Sequence, residues 1–449
     1  MEQNMDVDWK DFRSKIRYLT QVENWSDPKF AEPAEFLVRL SRSKQKSLLY
    51  REPYCGAYLE LIRMDWGYSA AYEAAAEMAT ETDDPEGCSG AFLYTCQASG
   101  MHEKAVPLLR HLERRFPFNP VVKLRLALAL ASIGEFSEID LLARQVLGNA
   151  NIGNWAAHEW ASLLIKVQNF ERGRSFLKIL ADRGKATDLL TKRIESFERA
   201  QCTDLVPSSI LNLDREPRKL FVSETLLPGG GIFPQRVSAI DGRSLPKYAL
   251  LTAANQRVLS SLGPGVIGTA LSHMKVWEDL IDSGDEYRLV LEDDAIPFMH
   301  VDSLKSAIEH SLEHELIWVN DRMSAIYGNG VPADIALDWN PWDALGVLGS
   351  SATGIGTDGY IITRSGATKL LEVFFKDGIA GHVDWQMAAY TISVNGDGQS
   401  RRQEALRRMR TLLDIERPLI QSTALTTPLI YEWDHGASTT AKDPFSKKG

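Results

Sequence analysis

The stretch from Tyr287 to Pro297, Tyr-Arg-Leu-Val-Leu-Glu-Asp-Asp-Ala-Ile-Pro, sets three apolar residues directly before three carboxylates. A short apolar run without polar interruption is typical of a strand buried on both faces, as in the middle of an α/β sheet. Ligands of such sheets bind beyond the carboxyl ends of the strands, where Glu292, Asp293 and Asp294 are expected to lie. Adjacent carboxylates repel one another unless a cation intervenes, and hard oxygen ligands suit Mn²⁺ or Mg²⁺. The stretch therefore predicts a cation-binding edge of a sheet, with a solvated acidic turn as the alternative.

The segments around this strand fit the same α/β arrangement. Residues 267–281 place apolar side chains on one helical stripe, and Ser272 and His273 fall off that stripe. This helix follows a Gly-Pro-Gly turn, so the free amide groups at its start could face a phosphate or a sugar. Further predicted elements are strands at 210–215 and 236–242, a strand at 356–367 that turns into a helix capped by Ser365, and the block His-Val-Asp-Trp-Gln at 382–386.

These blocks, in this order, resemble the family 25 glycosyltransferases, which include bacterial lipooligosaccharide galactosyltransferases and the collagen galactosyltransferases. The resemblance extends from about Pro207 to Gly449. It implies an α/β domain of the GT-A type around a mostly parallel sheet, and a metal-dependent enzyme that often uses UDP-galactose. One motif departs from the family: Gly-Val-Ile-Gly-Thr at 265–269 stands where Gly-Glu-Ile-Gly-Cys is usual. The missing carboxylate leaves the identity of the sugar open.

The resemblance and the residue chemistry together give roles to the acidic run. Asp294 is expected to ligate Mn²⁺ or Mg²⁺, with Glu292 and His435 as further ligands, so that the cation stabilises the charge on the departing diphosphate. Glu292 is also assigned to the ribose or to a supporting position beside the metal, and Asp293 either ligates the metal or shares that second role. The residues expected to contact the UDP-sugar donor are Asn212, Asp214, Arg215, Arg236, Asp241, Ser272, Glu292 and Asp293. Ordinary structural ion pairs are the alternative for Arg215 and Arg236.

Two residues are candidates for proton transfer. Asp384 matches the Val-Asp block of the family and is the candidate general base for the attacking hydroxyl if the reaction inverts configuration. The alternative is that Asp384 caps a helix starting at Trp385. His273 is the weaker candidate, because a histidine on the flank of an apolar helix is more often a structural residue.

The first half of the chain has a repeat instead. Gly100, Gly134 and Gln168 are 34 residues apart, and each precedes a similar helical segment. This period predicts all-α, tetratricopeptide-like hairpins that stack and leave a concave face for a peptide or a partner protein. A helical bundle that only supports the second half is the alternative.

The predicted domains are a helical extension at 1–50, the repeats at 51–200 and the transferase domain at 208–449. The short Pro- and Ser-containing linker at 203–209 leads us to expect that the repeats pack on the transferase domain or close over it.

Composition excludes several classes of protein. The chain has 449 residues, 44% hydrophobic and 24% charged, which is ordinary for globular domains. No window reaches the ~20 apolar residues of a membrane span, and the N terminus has neither the basic start nor the apolar core of a signal peptide. The four cysteines lack metal-ligand spacing, so a cytoplasmic location is predicted. The net charge of −10 argues against nonspecific nucleic-acid binding.

The basic helix predicted at 399–413 could contact the phosphates of a lipopolysaccharide core or, peripherally, an anionic membrane surface, with a solvated basic face as the alternative. Three functions follow from the sequence. The first is transfer of a hexose, galactose above all, to a glycan acceptor such as lipooligosaccharide or polysaccharide. The second is transfer to a peptide or protein held by the repeats. The third is a scaffold with a degenerate transferase domain, against which the intact Glu-Asp-Asp run and Asp384 speak.

Overall fold

The computed structural model describes residues 28–148, 151–200, 206–258, 262–328, 355–392 and 401–433, and residues 7, 8, 9 and 12 nearer the N terminus. By their contacts the residues form two compact units, one up to Ala157 and one from His158 onwards. The first unit is helical, and the second combines helices with a mixed sheet. The structure thus confirms an all-helical N-terminal region and an α/β C-terminal region.

The helices up to residue 198 repeat at a fixed interval. They are α1 Pro28–Ser41, α2 Tyr54–Trp66, α3 Tyr68–Glu81, α4 Pro85–Ala98, α5 His102–Arg115, α6 Pro120–Ser132, α7 Phe136–Leu147, α8 Asn154–Lys166, α9 Phe170–Asp182 and α10 Asp188–Glu198. Helices α3, α5, α7 and α9 each begin 34 residues after the one before, and so do α6, α8 and α10. The sequence period is therefore the period of the helical hairpins, consistent with tetratricopeptide-like repeats.

The turn inside each hairpin explains which residue repeats. Gly67, Gly100 and Gly134 adopt φ values of +85°, +65° and +80°, and Gln168 adopts +60°. This left-handed conformation costs an L-residue with a side chain roughly 1–2 kcal/mol, whereas glycine adopts it freely. Gln168 keeps the turn without being glycine, which is why its copy of the repeat is hard to recognise from sequence.

The second unit contains a six-stranded sheet. Its elements are β1 Ser208–Asn212, α11 Pro217–Leu226, β2 Gln235–Ser238, α12 Lys247–Ala253, α13 Pro264–Ser283, β3 Tyr287–Glu292, β4 Ala295–Pro297, α14 Lys305–Ser311, β5 Leu316–Trp318, α15 Asp321–Gly328, β6 Gly359–Thr363, α16 Arg364–Asp377, α17 Val383–Thr391, α18 Arg401–Leu412, β7 Ser422–Ala424 and β8 Ile430–Glu432. The strand order is β2-β1-β3-β6-β5-β7, and β4 pairs with β8 in a second, antiparallel sheet.

Strand direction determines which residues meet at the edge of the sheet. Five strands run one way, and β6 runs antiparallel to its neighbours β3 and β5. The carboxyl ends of β1, β2, β3 and β5 therefore share an edge with the amino end of β6. The sheet is mixed, with one reversed strand among parallel ones, and its assignment to the GT-A type remains a prediction.

Strand β3 is buried on both faces, as its apolar run predicts. Val290 packs in the core cluster on one side of the sheet, and Leu289 and Leu291 pack in the cluster on the other side. One local prediction was wrong: Thr363, not Ser365, caps α16, because its hydroxyl accepts from the amide of Gly366 at 3.2 Å. None of the described helices is long and apolar enough to cross a membrane.

The last helices of the repeat region belong to the second compact unit. The guanidinium of Arg193 on α10 is fully buried and donates to the carbonyls of Phe298 and Pro297 at 2.8 and 3.0 Å. The side-chain amide of Gln168 donates to the carbonyl of Leu226 at 2.5 Å. Contacts thus group α9 and α10 with the sheet, whereas the predicted limits 51–200 and 208–449 follow the repeat pattern.

Replacing Arg193 by Met should destabilise the second unit by about 2–5 kcal/mol, because two buried carbonyls lose charged donors. Urea unfolding followed by tryptophan fluorescence measures the loss. The matched control is Arg199→Met, whose side chain is 78% exposed and which should change stability by less than about 0.5 kcal/mol. Equal effects of the two substitutions would contradict the anchoring role of Arg193.

Candidate functional site

A cleft opens at the carboxyl edge of β1, β2 and β3. It holds about 550 Å³ of space, counting the part that is open to solvent. The predicted residues that line it are Arg215, Asp241, Ser272, His273, Glu292 and Asp293, together with Leu211, Leu213, Ala239, Ile240, Gly242, Gly265 and Thr269. Residues from four separate sequence blocks therefore meet where α/β sheets bind ligands.

Helix α13 forms one wall, and two glycines let it approach the opposite loop. A Cβ atom on Gly268 would lie 2.5 Å from the amide nitrogen of Gly242 and from the carbonyl oxygen of Ile240. The hydroxyl of Ser272 accepts from the amide of Ile240 at 2.8 Å and donates to the carbonyl of Gly268 at 2.7 Å. Ser272 thus fixes the wall of the cleft.

Replacing Gly268 by Ala should destabilise the protein by about 1–3 kcal/mol, because the new methyl group meets backbone atoms that cannot rotate away. Helix propensity alone would favour alanine by up to about 1 kcal/mol. The sign of the change in the free energy of unfolding therefore tests whether the close approach exists. Thermal unfolding measures it. The control is Gly90→Ala on α4, where the nearest atom is 3.9 Å from the added Cβ; a stabilised Gly268→Ala protein would refute the close approach.

The floor of the cleft is a chain of buried polar groups. His273 lies with Nε2 3.4 Å from Glu292 Oε1 and Nδ1 2.8 Å from the hydroxyl of Tyr360. That hydroxyl accepts from the indole of Trp277 at 2.9 Å, and Thr357 donates to Glu292. Burial alone would raise the pKa of Glu292, yet His273 and Thr357 hold that pKa below its ordinary value. Glu292 is therefore kept ionised.

The sequence pattern misjudged this face of α13. Ser272 and His273 were expected off the buried stripe, but their exposed fractions are 2% and 0%. Helix α13 is buried on two sides, since its core stripe packs against the sheet while Ser272 and His273 face the loop after β2 and the hydroxyl of Tyr360. His273 lines the cleft beside Glu292, and its role in proton transfer stays a prediction.

The next carboxylates of the run differ in their surroundings. Asp293 accepts from the side-chain amide of Asn212 at 2.8 Å, and burial raises its pKa to about 6. Asp294 is more extreme: burial, then the charges of Glu432, Glu292 and Asp293, raise its pKa well above the ordinary value. Its Oδ1 atom is buried and has no hydrogen-bond partner among the described residues. Lys219 offsets part of this rise in pKa, but one oxygen of Asp294 stays without a hydrogen bond from the described residues.

Ion pairs join the ends of β1 and β2. Arg215 pairs with Asp241, and both side chains line the cleft. Arg236 pairs with Asp214 and donates to Asn212 Oδ1 at 3.2 and 3.1 Å. Asn212, Asp214 and Arg236 stand beside the cleft rather than among its lining residues. Arg215 and Arg236 are thus both held by ion pairs, as the alternative proposed. Contacts of these residues, and of Asn212, Asp214 and Asp241, with the UDP-sugar remain predictions.

Asp384 lies in the first turn of α17. The helix begins at Val383, so the helix-cap alternative is wrong, because the cap position is occupied by His382. The carboxylate accepts from the amide of Trp385 at 2.8 Å. Burial, only partly offset by that amide and by Arg322, raises the pKa of Asp384 to about 7. A carboxyl with such a pKa can exchange a proton near neutral pH.

Binding of a metal ion stays a prediction. Within the described ranges, no three His, Cys, Asp or Glu side chains are arranged to hold a metal ion. His435 lies outside the described residues. The crowded carboxylates around Asp294 and its unpartnered Oδ1 atom nevertheless provide the hard oxygen donors that Mn²⁺ or Mg²⁺ prefers.

The basic helix α18 is partly structural. Arg410 is buried and donates to the carbonyl of Ile392 at 2.7 Å. Arg408 donates to Glu404 at 2.8 Å, and its side chain is 78% exposed. Contact with a membrane surface therefore stays a prediction. Exposed arginines of α18 such as Arg408 could make this contact, whereas the buried Arg410 could not.

Sequence reasoning missed two charged residues at the same edge. Arg322, in the first turn of α15, pairs with Asp358 just before β6 and with Glu432 at 3.2 Å. The antiparallel direction of β6 brings Asp358 to the carboxyl edge of the other strands. Strand direction cannot be deduced from local sequence, so no local pattern predicts the pairing of Arg322 with Asp358.

Residues 207–385 match the family model described as glycosyltransferase family 25 (LPS biosynthesis protein). A search of curated proteins found no match. The matched region runs from β1 to the first turn of α17 and contains the whole lining of the cleft together with Asp384. The resemblance to this glycosyltransferase family is confirmed for this region.

Proposed function

We propose that the protein transfers a hexose, galactose by preference, from a UDP-sugar to a hydroxyl of a glycan acceptor such as lipooligosaccharide or polysaccharide. The observation that carries the proposal is the convergence of Arg215, Asp241, Glu292 and Asp293 on one cleft in the matched region. Arginine supplies a fork of donors to a phosphate, and a carboxylate accepts hydrogen bonds from a ribose or a base. The cleft therefore has the chemistry to hold a nucleotide sugar.

Helix α13 adds to this donor site. Its first turn lines the cleft through Gly265, and Thr269 follows one turn later. Free amide groups at a helix N-terminus attract phosphate. Gly265 and Thr269 would then contact the diphosphate.

Asp294 and Glu292 would hold a Mn²⁺ or Mg²⁺ ion, with His435 as a further ligand. The fit rests on the buried, unpartnered Oδ1 of Asp294 and on the neighbouring carboxylates that raise its pKa. When bound, such an ion neutralises the charge that develops on the departing diphosphate. The protein residues keep the carboxylates in place and partly exclude water from them.

A screen of UDP-sugars for hydrolysis without acceptor tests the donor and the metal together. We expect turnover with Mn²⁺ or Mg²⁺ and none with EDTA, and Asp294→Asn should abolish the metal-dependent part because one charged ligand is lost. The matched control is Asp285→Asn, which removes a carboxylate beside the amino end of β3. Calorimetry that finds the same UDP affinity with and without EDTA would refute the metal role.

Asp384 is proposed as the general base that takes the proton of the acceptor hydroxyl. Its pKa of about 7 makes it ionised above neutrality and still basic enough to accept a proton. The neighbouring ring of Trp385 is half-buried and could pack against a sugar. Acceptor and base would then meet at the amino end of α17.

Replacing Asp384 by Asn should lower turnover by about 10²-fold or more while leaving UDP affinity nearly unchanged. In the wild type, turnover should rise as the pH passes upward through about 7.

Stability should respond in the opposite direction. Folding raises the pKa of Asp384 from 3.8 to about 7, so the native state binds more protons and loses stability as the pH rises across that window. Asp384→Asn should therefore become more stable relative to the wild type between pH 5 and pH 8, as thermal unfolding can show. Asp414→Asn, at an exposed position, is the control. A variant with unchanged turnover per folded molecule would remove Asp384 from the chemistry.

A further inference from the structure

Four carboxylates come from backbone segments that contact one another at the edge of the sheet. Glu292 is hydrogen-bonded through the backbone to Asp358, and the segment of Glu432 pairs with the chain directly after Asp294. Arg322 enters this cluster from the first turn of α15 with a side chain that is 13% exposed. Its guanidinium pairs with Asp358 and with Glu432, the latter at 3.2 Å.

Both partners of Arg322 belong to segments that hold the acidic run through the backbone. The carbonyl of Asp358 accepts from the amide of Glu292 at 3.3 Å. Glu432 pairs with Ala295 in the β4–β8 ladder, and the amide of Trp433 donates to the carbonyl of Asp294 at 2.6 Å. Arg322 therefore connects the segment that supports Glu292 with the segment that supports Asp294.

The position of Arg322 is itself well determined. Asn320 accepts from the amide of Met323 at 2.8 Å and donates to the carbonyl of Gly356 at 2.7 Å, which fixes the start of α15. A Cβ atom on Gly356 would overlap the guanidinium of Arg322. Glycine at position 356 thus leaves space for the guanidinium of Arg322, and the hydrogen bonds of Asn320 fix the backbone on both sides of it.

We infer that Arg322 is a positioning residue of the transfer reaction, which holds the carboxylates of Glu292 and Asp294 in the arrangement that binds the divalent cation and the diphosphate. The inference rests on the proposed function. Arg322 acts through Asp358 and Glu432 and does not need to touch the substrate. Groups that orient metal ligands from behind commonly change metal affinity or activity 10–100-fold when they are removed.

Two physical effects of removing Arg322 have opposite signs, and this makes the inference testable. Loss of the ion pairs of Arg322 with Asp358 and Glu432 leaves the carboxylates of Glu292 and Asp294 less ordered, which weakens binding of the cation. Loss of a nearby positive charge, by itself, would strengthen binding of the cation to the same carboxylates. The direction of the change in Mn²⁺ affinity therefore distinguishes a positioning residue from a simple counter-charge.

The experiment titrates Mn²⁺ and UDP into the full-length protein by calorimetry and measures turnover on the same samples. Arg322→Met should weaken Mn²⁺-dependent UDP binding about 10-fold or more and lower kcat more than it raises KM. Arg322→Lys should recover part of both, because it restores one charged donor. Glu432→Gln removes one of the two ion pairs of Arg322 with little change of shape, and it should give a smaller loss of Mn²⁺-dependent UDP binding. This variant keeps the test valid if Arg322→Met folds poorly.

Arg288→Met is the matched control. Arg288 is 11% exposed, pairs with Asp285 at 2.7 Å and lies near the amino end of β3, away from the carboxylates. It should leave Mn²⁺-dependent UDP binding unchanged per folded molecule. An equal loss in both arginine variants, or tighter or unchanged Mn²⁺ binding in Arg322→Met, would overturn the inference.

The wild type separates this failure from failure of the proposed function. Wild-type protein that binds no UDP under any condition would refute the donor site and, with it, the role of Arg322. Wild-type protein that binds UDP equally well in EDTA would remove the cation from the proposal and overturn the positioning role as stated.

Discussion

Mutual repulsion of carboxylates is the constraint on which the second unit depends. The run Glu292–Asp294 ends a strand that is buried on both faces, and its three residues are only partly exposed, so water screens their repulsion only in part. Each carboxylate receives a different partner: His273 and Thr357 for Glu292, Asn212 for Asp293. Asp294 keeps one oxygen without a hydrogen bond from the described residues. Groups from β1, α13 and the segment before β6 are thus held in place by the need to stabilise one short acidic segment.

This arrangement assigns electrostatic stabilisation and proton transfer to different carboxylates. Glu292 is held ionised, whereas burial raises the pKa of Asp384 to about 7. Environments that push the pKa values of neighbouring acids apart assign one to electrostatic work and the other to proton transfer. The assignment of Asp384 as base in the proposed reaction therefore agrees with its surroundings, where burial outweighs the opposing effects of the Trp385 amide and of Arg322 on its pKa.

Local sequence predicted those parts of the fold whose signals are local. The apolar run of β3, the stripe of α13 and the 34-residue step each reflect a regular element, and each of these elements is present. The buried side of α13 that carries Ser272 and His273 was missed, because two polar residues on a helix flank look solvated until their partners Ile240 and Tyr360 are known. The pairing of Arg322 with Asp358 was missed because it depends on the reversed direction of β6.

The last hairpin of the repeats, α8 and α9 with α10 behind it, has a consequence for the repeat array itself. A stack of identical hairpins ends in an apolar face that needs a solubilising cap. Here Phe197 on α10 packs against Phe170 and against the ring of His300, while the Nζ atom of Lys166 lies 4.2 Å from the ring centroid of Tyr431. Within the second unit, side chains of the sheet region thus cover part of α10 and the carboxyl end of α8. Substitutions that loosen the sheet region would therefore expose the surface of these helices and promote aggregation, even where both helices are intact.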